Sequence, residues 1–198
     1  MVGSSSRILG RGADALGTTV ADRHRAYREG ITPMNDDRLA EALDELAVRR
    51  LHHAYADIVT RREWAELHNV MRPTCTLDLD LGDRTMRFDG PAAIGEFIGT
   101  ELRRFSFFEF VILNSVVRVD VAAGTAGARL YMQELRQNVD DGRRTDAYGV
   151  YHDHFERDAD QRWWIARRRY GSFSRTAEPG SDVDQDVFPL PVFPLDQL

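Results

Sequence analysis

The stretch YADIVTRREWAELHNVMRPTCTLDLD, Tyr55 to Asp80, decides how the rest of the chain is read. Its first residues finish a long helical pattern that starts in DDRLAEALDELAVRRLHHAYADIVT, with apolar residues at Leu39, Leu43, Leu46, Ala47, Leu51, Ala54, Tyr55 and Ile58. A charged turn, Thr60 to Glu63, follows. REWAELHNVM then predicts a second, short helix with Trp64, Leu67 and Met71 on one side, ended by Pro73. TCTLDLDLG alternates, as a half-buried strand does.

Downstream, Gly82-Asp83 predicts a turn and RTMRF a return strand. Gly90-Pro91 opens a third helix, PAAIGEFIGTELRRF, with proline at an early helical position. The chain then changes character. FEFVILNSVVRVDV, GARLYMQELRQNV, RRTDAYGVYHDHFERD and RWWIARRRYGSFSR are rich in β-branched and aromatic residues, and Asp141-Gly142 is a hairpin signal. Helices first and a four-strand antiparallel meander after predict an α+β domain with helices on one sheet face.

Three segments are expected. Residues 1–35, rich in Gly, Ser, Ala, Arg and Thr, read as a flexible arm, with ADRHRAYREG as a short helix. Residues 36–176 form the domain. Residues 177–198, AEPGSDVDQDVFPLPVFPLDQL, are too proline-rich for a helix and too apolar to float in water. This tail is expected on the body, on a neighbouring subunit, or over a pocket mouth.

At 198 residues with 42% hydrophobic and 29% charged residues, the chain suits one soluble domain with tails. A net charge of −6 gives no general attraction to nucleic acid or anionic membrane, so neither is an expected partner. The single cysteine, Cys75, excludes an intrachain disulfide and reads as a buried thiol in a strand. No apolar run reaches the roughly 18 residues of a membrane span, and a cytoplasmic location is expected. The six histidines do not assemble a metal pattern: His152 and His154 share a strand face without a third ligand, and His52 and His53 diverge on a helix. No metal or cofactor is expected, and GxGxxG, GxxxxGKS and GxSxG are all missing.

Two features point to a site. Arg168, in WIARRRY, shares a strand face with Ala166 and Tyr170 and so points towards the helices. It is either one half of a structural ion pair, with Asp57 or Glu63, or a cation held for an enolate, carboxylate or phenolate. Aromatic residues gather on the same side: Tyr55, Trp64, Phe110, Tyr131, Tyr151 and Tyr170. A hollow lined by phenols and one guanidinium suits an oxygenated, largely apolar ligand.

The 55–80 stretch, FDGPAAIGEFI at 88–98 and VYHDHFERDADQRWWIARRRY at 150–170 together resemble the nuclear transport factor two-like superfamily, and within it the SnoaL-like and scytalone dehydratase-like group. The resemblance covers about residues 38–175. It implies a cone of three N-terminal helices packed on a strongly curved, mostly antiparallel sheet, a deep pocket, and a homodimer or higher homo-oligomer formed through the outer sheet face. It also implies a small-molecule substrate. The chain departs from the dehydratase pattern at three positions: Thr60 stands where a carboxylate is expected, Phe110 where a histidine is, and Leu79 where a tyrosine is. Thr and Phe cannot shuttle protons as an Asp–His pair does.

The implied function is cyclisation or isomerisation, including pericyclic rearrangement, of a polyketide-like or other apolar oxygenated intermediate by shape and hydrogen bonding. A non-catalytic small-molecule binder or dimeric assembly module is the alternative, and a dehydratase with relocated acid and base a second one. Tyr55, Tyr151 and Arg168 are the expected catalytic groups. Trp64, Phe110, Tyr131, Thr60 and Tyr170 are expected to bind substrate, with Asp80, His68 and His152 as reserve acids and bases. Arg168→Ala and Tyr55→Phe are expected to lower turnover or affinity and leave the fold intact.

Overall fold

A computed structural model describes residues 35–198. The expected arm at 1–35, with its ADRHRAYREG helix, lies outside the described residues but for its last position. Helix α1 spans Asp36–Arg61. Its buried stripe is Val48, His52, Tyr55, Ala56, Ile58 and Val59. Leu39, Leu43 and Leu46, expected on the core face, are 44–57% exposed. No residue of 36–47 is buried, so the first turns of α1 carry no core face, whereas Ala47, Leu51 and Ala54 do pack against the core. The expected second helix is a six-residue 3₁₀ segment, Trp64–Asn69, a geometry that rarely extends further. The described residues therefore hold two α-helices, not three. The second, α2 (Pro91–Glu101), carries Pro91 in its first turn and runs into a 3₁₀ turn at Leu102–Arg104.

The strands are β1 (Met71–Asp80), β2 (Thr85–Asp89), β3 (Phe105–Asp120), β4 (Thr125–Asn138), β5 (Arg144–Arg157), β6 (Trp163–Thr176) and β7 (Gln185–Val187). The sheet order is β2-β1-β6-β5-β4-β3, with β7 pairing the end of β6. The four-strand meander β3 to β6 is antiparallel throughout. The one parallel pair joins β1 to β6, with Leu77 opposite Arg168 and Leu79 opposite Tyr170. Turn chemistry fits the sequence signals: Gly82 and Gly142 both have positive φ, and Asp80 and Asp141 each accept a backbone N–H two residues on, at 2.9 Å.

One face of the sheet carries the helices and the core. Cys75, Leu77 and Leu79 of β1, Leu130 and Met132 of β4, Phe155 of β5 and Ile165 of β6 are all buried there with Tyr55, Val59 and Leu67. Burial pushes the Cys75 thiol up to about 12, so it is inert at neutral pH. The tail divides. Ala177, Glu178 and Pro179 border a cavity on the helix face. After β7 the chain lies along the opposite face: a Cβ on Gly171 would stand 2.5 Å from Pro191, and one on Gly127 2.2 Å from the Leu195 carbonyl oxygen. Those two glycines are the notches that let the tail lie flat.

Candidate active site

Asp153 occupies the middle of β5, between Tyr151 and Phe155 on the helix-facing side, and directly opposite Arg168 of β6. Both are 0% exposed. Arg168 Nε donates to Asp153 Oδ1 at 2.8 Å and Nη2 to Oδ2 at 3.0 Å, a two-pronged pair. His52 of α1 completes the set: its Nε2–H donates to Asp153 Oδ2 at 3.0 Å, and its Nδ1 accepts from the Ser115 hydroxyl at 3.3 Å. Burial lowers the His52 pKa, with Asp153 opposing that shift, so the ring is neutral at pH 7. Burial pushes the Asp153 carboxyl up, but Arg168 and His52 more than offset this and hold it below the ordinary carboxylate range.

The partner of Arg168 is thus Asp153, not Asp57 or Glu63. Asp57 lies on the exposed side of α1 and pairs with Arg61 at 2.9 Å. Nor does the guanidinium open onto a ligand space. It is roofed by two phenol rings, with its central carbon 3.9 Å from the centroids of both Tyr55 and Tyr151. The phenols form the surface, and Arg168 is the layer beneath it.

Above those rings lies a cavity of about 570 Å³. Tyr55, Phe110, Tyr151 and Tyr170 line its inner end as a contiguous aromatic wall, with neighbouring ring centroids 4.9 to 6.1 Å apart. Val59, Leu77, Leu79, Phe97 and Phe108 add apolar surface. Burial raises the pKa of Tyr55, Tyr151 and Tyr170 alike, so all three are hydroxyl donors at neutral pH. Tyr170 reaches this position because Gly149, on β5, has no side chain: a Cβ there would be 2.1 Å from its ring.

Two charged residues on the same wall escaped the sequence reading. Glu134 and Arg136 of β4 follow Leu130 and Met132 at two-residue spacing and share their face. The Glu134 side chain is 23% exposed and lines the cavity; Arg136 Nη1 stands 3.4 Å from its Oε2. Burial raises the Glu134 pKa, with Arg136 and Arg104 opposing the rise. The parity was the available signal: two charges on a strand face that is otherwise buried need a reason. Asp153 carried the same signal, between Tyr151 and Phe155.

Other expected residues lie elsewhere. Thr60 does not line the cavity; its hydroxyl accepts the backbone N–H of Phe110 at 3.1 Å and fastens α1 to β3. Trp64 packs against α2, where Gly95 and Gly99 make room for it. Tyr131 faces the opposite side of the sheet, against Phe173. His68 is exposed and its Nδ1 donates to the Ala65 carbonyl. Asp80 and His152 border a separate recess of about 460 Å³ on the tail side, with Arg169 and Phe193. Among the described residues, no group of three or more His, Cys, Asp or Glu is placed to hold a metal ion.

A family model for the SnoaL-like domain matches residues 40–169. The chain belongs to the SnoaL-like domain family. SnoaL-like proteins bind small molecules, and the family includes small-molecule enzymes. No curated protein matches this SnoaL-like chain. Solved structures do. An NTF2-like protein with a cystatin-like fold from Novosphingobium aromaticivorans is 17% identical with a TM-score of 0.55, covering 85% of this chain and 96% of its own. A type 2 hexachlorocyclohexane dehydrochlorinase, LinA, is 16% identical with a TM-score of 0.56, covering 71% and 99%. ActVI-ORFA from Streptomyces coelicolor is 13% identical with a TM-score of 0.54, covering 65% and 96%. These likenesses establish an α+β NTF2-like fold. No helix of the described residues is long and apolar enough to cross a membrane.

Proposed function

We propose that this SnoaL-like chain is an enzyme that cyclises or isomerises an apolar, oxygenated, polyketide-like intermediate, held in the cavity above Arg168. The observation that carries the reading is the wall of phenol-bearing and apolar rings lining about 570 Å³ of space, within the usual range for a small-molecule site. Tyr55 and Tyr151 present hydroxyls to substrate oxygens. Arg168 acts through them: its fixed positive charge under both rings favours negative charge developing on an oxygen bound to the phenols. Phe110 and the aliphatic residues fold the substrate and exclude water. A neighbour in the fold that is a dehydrochlorinase is consistent with small-molecule chemistry in this frame.

The second reading, a binder without catalysis, is favoured by Thr60 and Phe110, which fasten backbone to side chain where the dehydratase-like pattern has its acid and base. Titration with 2-naphthol and 2-tetralone, followed by protein NMR shifts, tests the site. Saturable shifts at Tyr55, Tyr151 and Tyr170, weakened in Tyr55→Phe and Tyr151→Phe, are expected. Shifts confined to the tail face would refute the cavity as the site. Binding with no acceleration of any proton exchange or ring closure would leave the binder.

A further inference from the structure

On the sheet face opposite the helices, five residues stand in one row across five strands: Arg129 of β4, His152 of β5, Arg169 of β6, Asp78 of β1 and Arg87 of β2. Four of the five are committed to one another or to nearby groups. Arg87 Nη1 donates to Asp78 Oδ1 at 3.0 Å, and its Nε to Asp89 Oδ1 at 3.3 Å. Arg129 Nε donates to His152 Nε2 at 3.2 Å, and its Nη2 to the Phe193 carbonyl at 2.7 Å. Arg169 is the exception. Among the described residues no carboxylate oxygen lies within 4.0 Å of its nitrogens, since Asp78, its register neighbour, is bonded to Arg87 instead. Its guanidinium stands 5.4 Å from the centroid of the Phe193 ring, and no hydrogen bond engages its planar fork among the described residues.

Arg169 borders the tail-side recess of about 460 Å³. The β1–β2 hairpin supplies one side of that recess, with Thr85 and Met86, and the tail supplies another, with Pro191 and Phe193. Phe193 is 39% exposed, so part of it is bare apolar surface. A guanidinium fork matches the two oxygens of a carboxylate in one plane. The row favours such a guest as a whole: three guanidinium groups stand against one carboxylate, an excess of two positive charges that an arriving anion reduces. Asp78 and Asp80 border the recess on the hairpin side and repel a second anionic group.

We propose that this recess is a second ligand site, for a monocarboxylate with a flat apolar body. Arg169 holds the carboxylate through two parallel N–H···O bonds, and the body lies against Met86 and the Phe193 ring. The site is separate from the helix-face cavity but shares a wall with it. Leu79 and Tyr170 are register partners in the β1–β6 pair and border both spaces. An occupant therefore bears on the strand that carries the Tyr170 ring.

The probes are 2-naphthoate, its neutral counterpart 2-naphthamide, and inorganic phosphate. Each is titrated into the full chain near neutral pH, with NMR of the Met86 methyl and the Phe193 ring as the readout. Saturable shifts of both groups by 2-naphthoate are expected, with Kd raised about tenfold or more in Arg169→Gln. The amide should bind there about tenfold more weakly than the acid, and phosphate at equal concentration should not displace the acid. Equal affinity of acid and amide overturns the proposal, as does equal affinity of wild type and Arg169→Gln. Naphthoate shifts confined to Tyr55, Tyr151 and Tyr170, or no saturable shift at all, overturn it too. Displacement by phosphate shows a general anion site and overturns the carboxylate class. Should Arg169→Gln loosen the tail, seen as Phe193 resonances of a free peptide, the wild-type comparison of acid with amide decides alone.

Discussion

Arg168 and Asp153 are cross-strand partners that bury a full guanidinium–carboxylate pair, 0% exposed on both sides, under a helix that sets His52 against the carboxylate and the Tyr55 ring against the guanidinium. Removing one partner leaves the other charged and unpaired. Asp153→Asn is therefore expected to cost about 3–5 kcal/mol of folding stability, read by urea denaturation. Arg168→Ala should cost a similar amount, a larger loss than the sequence reading expects of this variant. The double variant Asp153→Leu/Arg168→Met should recover much of the loss. A double variant no better than the singles would refute this account.

The same carboxylate gives a pH signature. Its pKa is lower folded than unfolded. Its stabilisation is thus complete above the unfolded value of roughly 4 and is lost as pH falls through the lower folded value. Stability profiles of wild type and Asp153→Asn should run apart at neutral pH and converge in acid. Profiles that stay parallel into acid would contradict it.

Tyr55→Phe keeps the ring over Arg168 and deletes only the hydroxyl. Stability should change by about 1 kcal/mol or less, while the affinity for 2-naphthol falls about three- to tenfold, the worth of one hydrogen bond. Equal affinity in the two proteins would show that the ligand's oxygen lies elsewhere.

Gly149→Ala sets a methyl 2.1 Å from the Tyr170 ring. The ring must move, at about 1–3 kcal/mol, and a moved ring reshapes the cavity. The loss should vanish when Tyr170→Ala is added. Denaturation midpoints of the two singles and the double measure the coupling, and additive losses would exclude it.

The tail depends on His152. Its Nε2 accepts from Arg129 Nε at 3.2 Å and from the Phe193 backbone N–H at 3.3 Å, so it must be unprotonated. Burial and the adjacent Arg129 lower its pKa to about 4. A depressed histidine pKa means the docked form is unimpaired above the free value of roughly 6.5 and weakens as pH falls from there towards 4. Phe193 ring resonances should move towards those of a free peptide over that range in wild type, and remain still in His152→Gln. A pH-independent Phe193 in wild type would show that the imidazole does not hold the tail.

The meander, its turns and the buried Cys75 were legible because alternation and Asp-Gly chemistry act locally. The site was only half legible. Tyr55, Phe110, Tyr151 and Tyr170 line one cavity, as a shared face suggested. Yet residue type cannot tell a ring on the wall from one on the far side, and Tyr131 lies with Phe173 instead. Arg168 was read as inward, correctly, but its partner sits 15 residues away across a hairpin. With Arg168 placed against the helices, the sequence reading looked for its partner there, at Asp57 or Glu63. His52 was passed over as one of an unproductive pair, although it is three residues before Tyr55 and on the same helix face. Glu134 was missed although its two-residue spacing from Leu130 and Met132 puts it on their buried face.

The parallel β1–β6 pairing ties residues 71–80 to a strand that is not complete until Thr176. Such distant partners are slow to meet, because a long loop must close before any contact rewards it. On the ribosome, α1 and β1 emerge early and must wait, with the Tyr55–Val59 face bare, for the last long strand to arrive. A chain stalled before Arg168 would present Asp153 without its Arg168 partner and Leu77 to Asp80 of β1 with no neighbour on that side. Nascent molecules of this protein should therefore need chaperone protection until β6 has emerged, and truncations inside β6 should be degraded, not merely inactive.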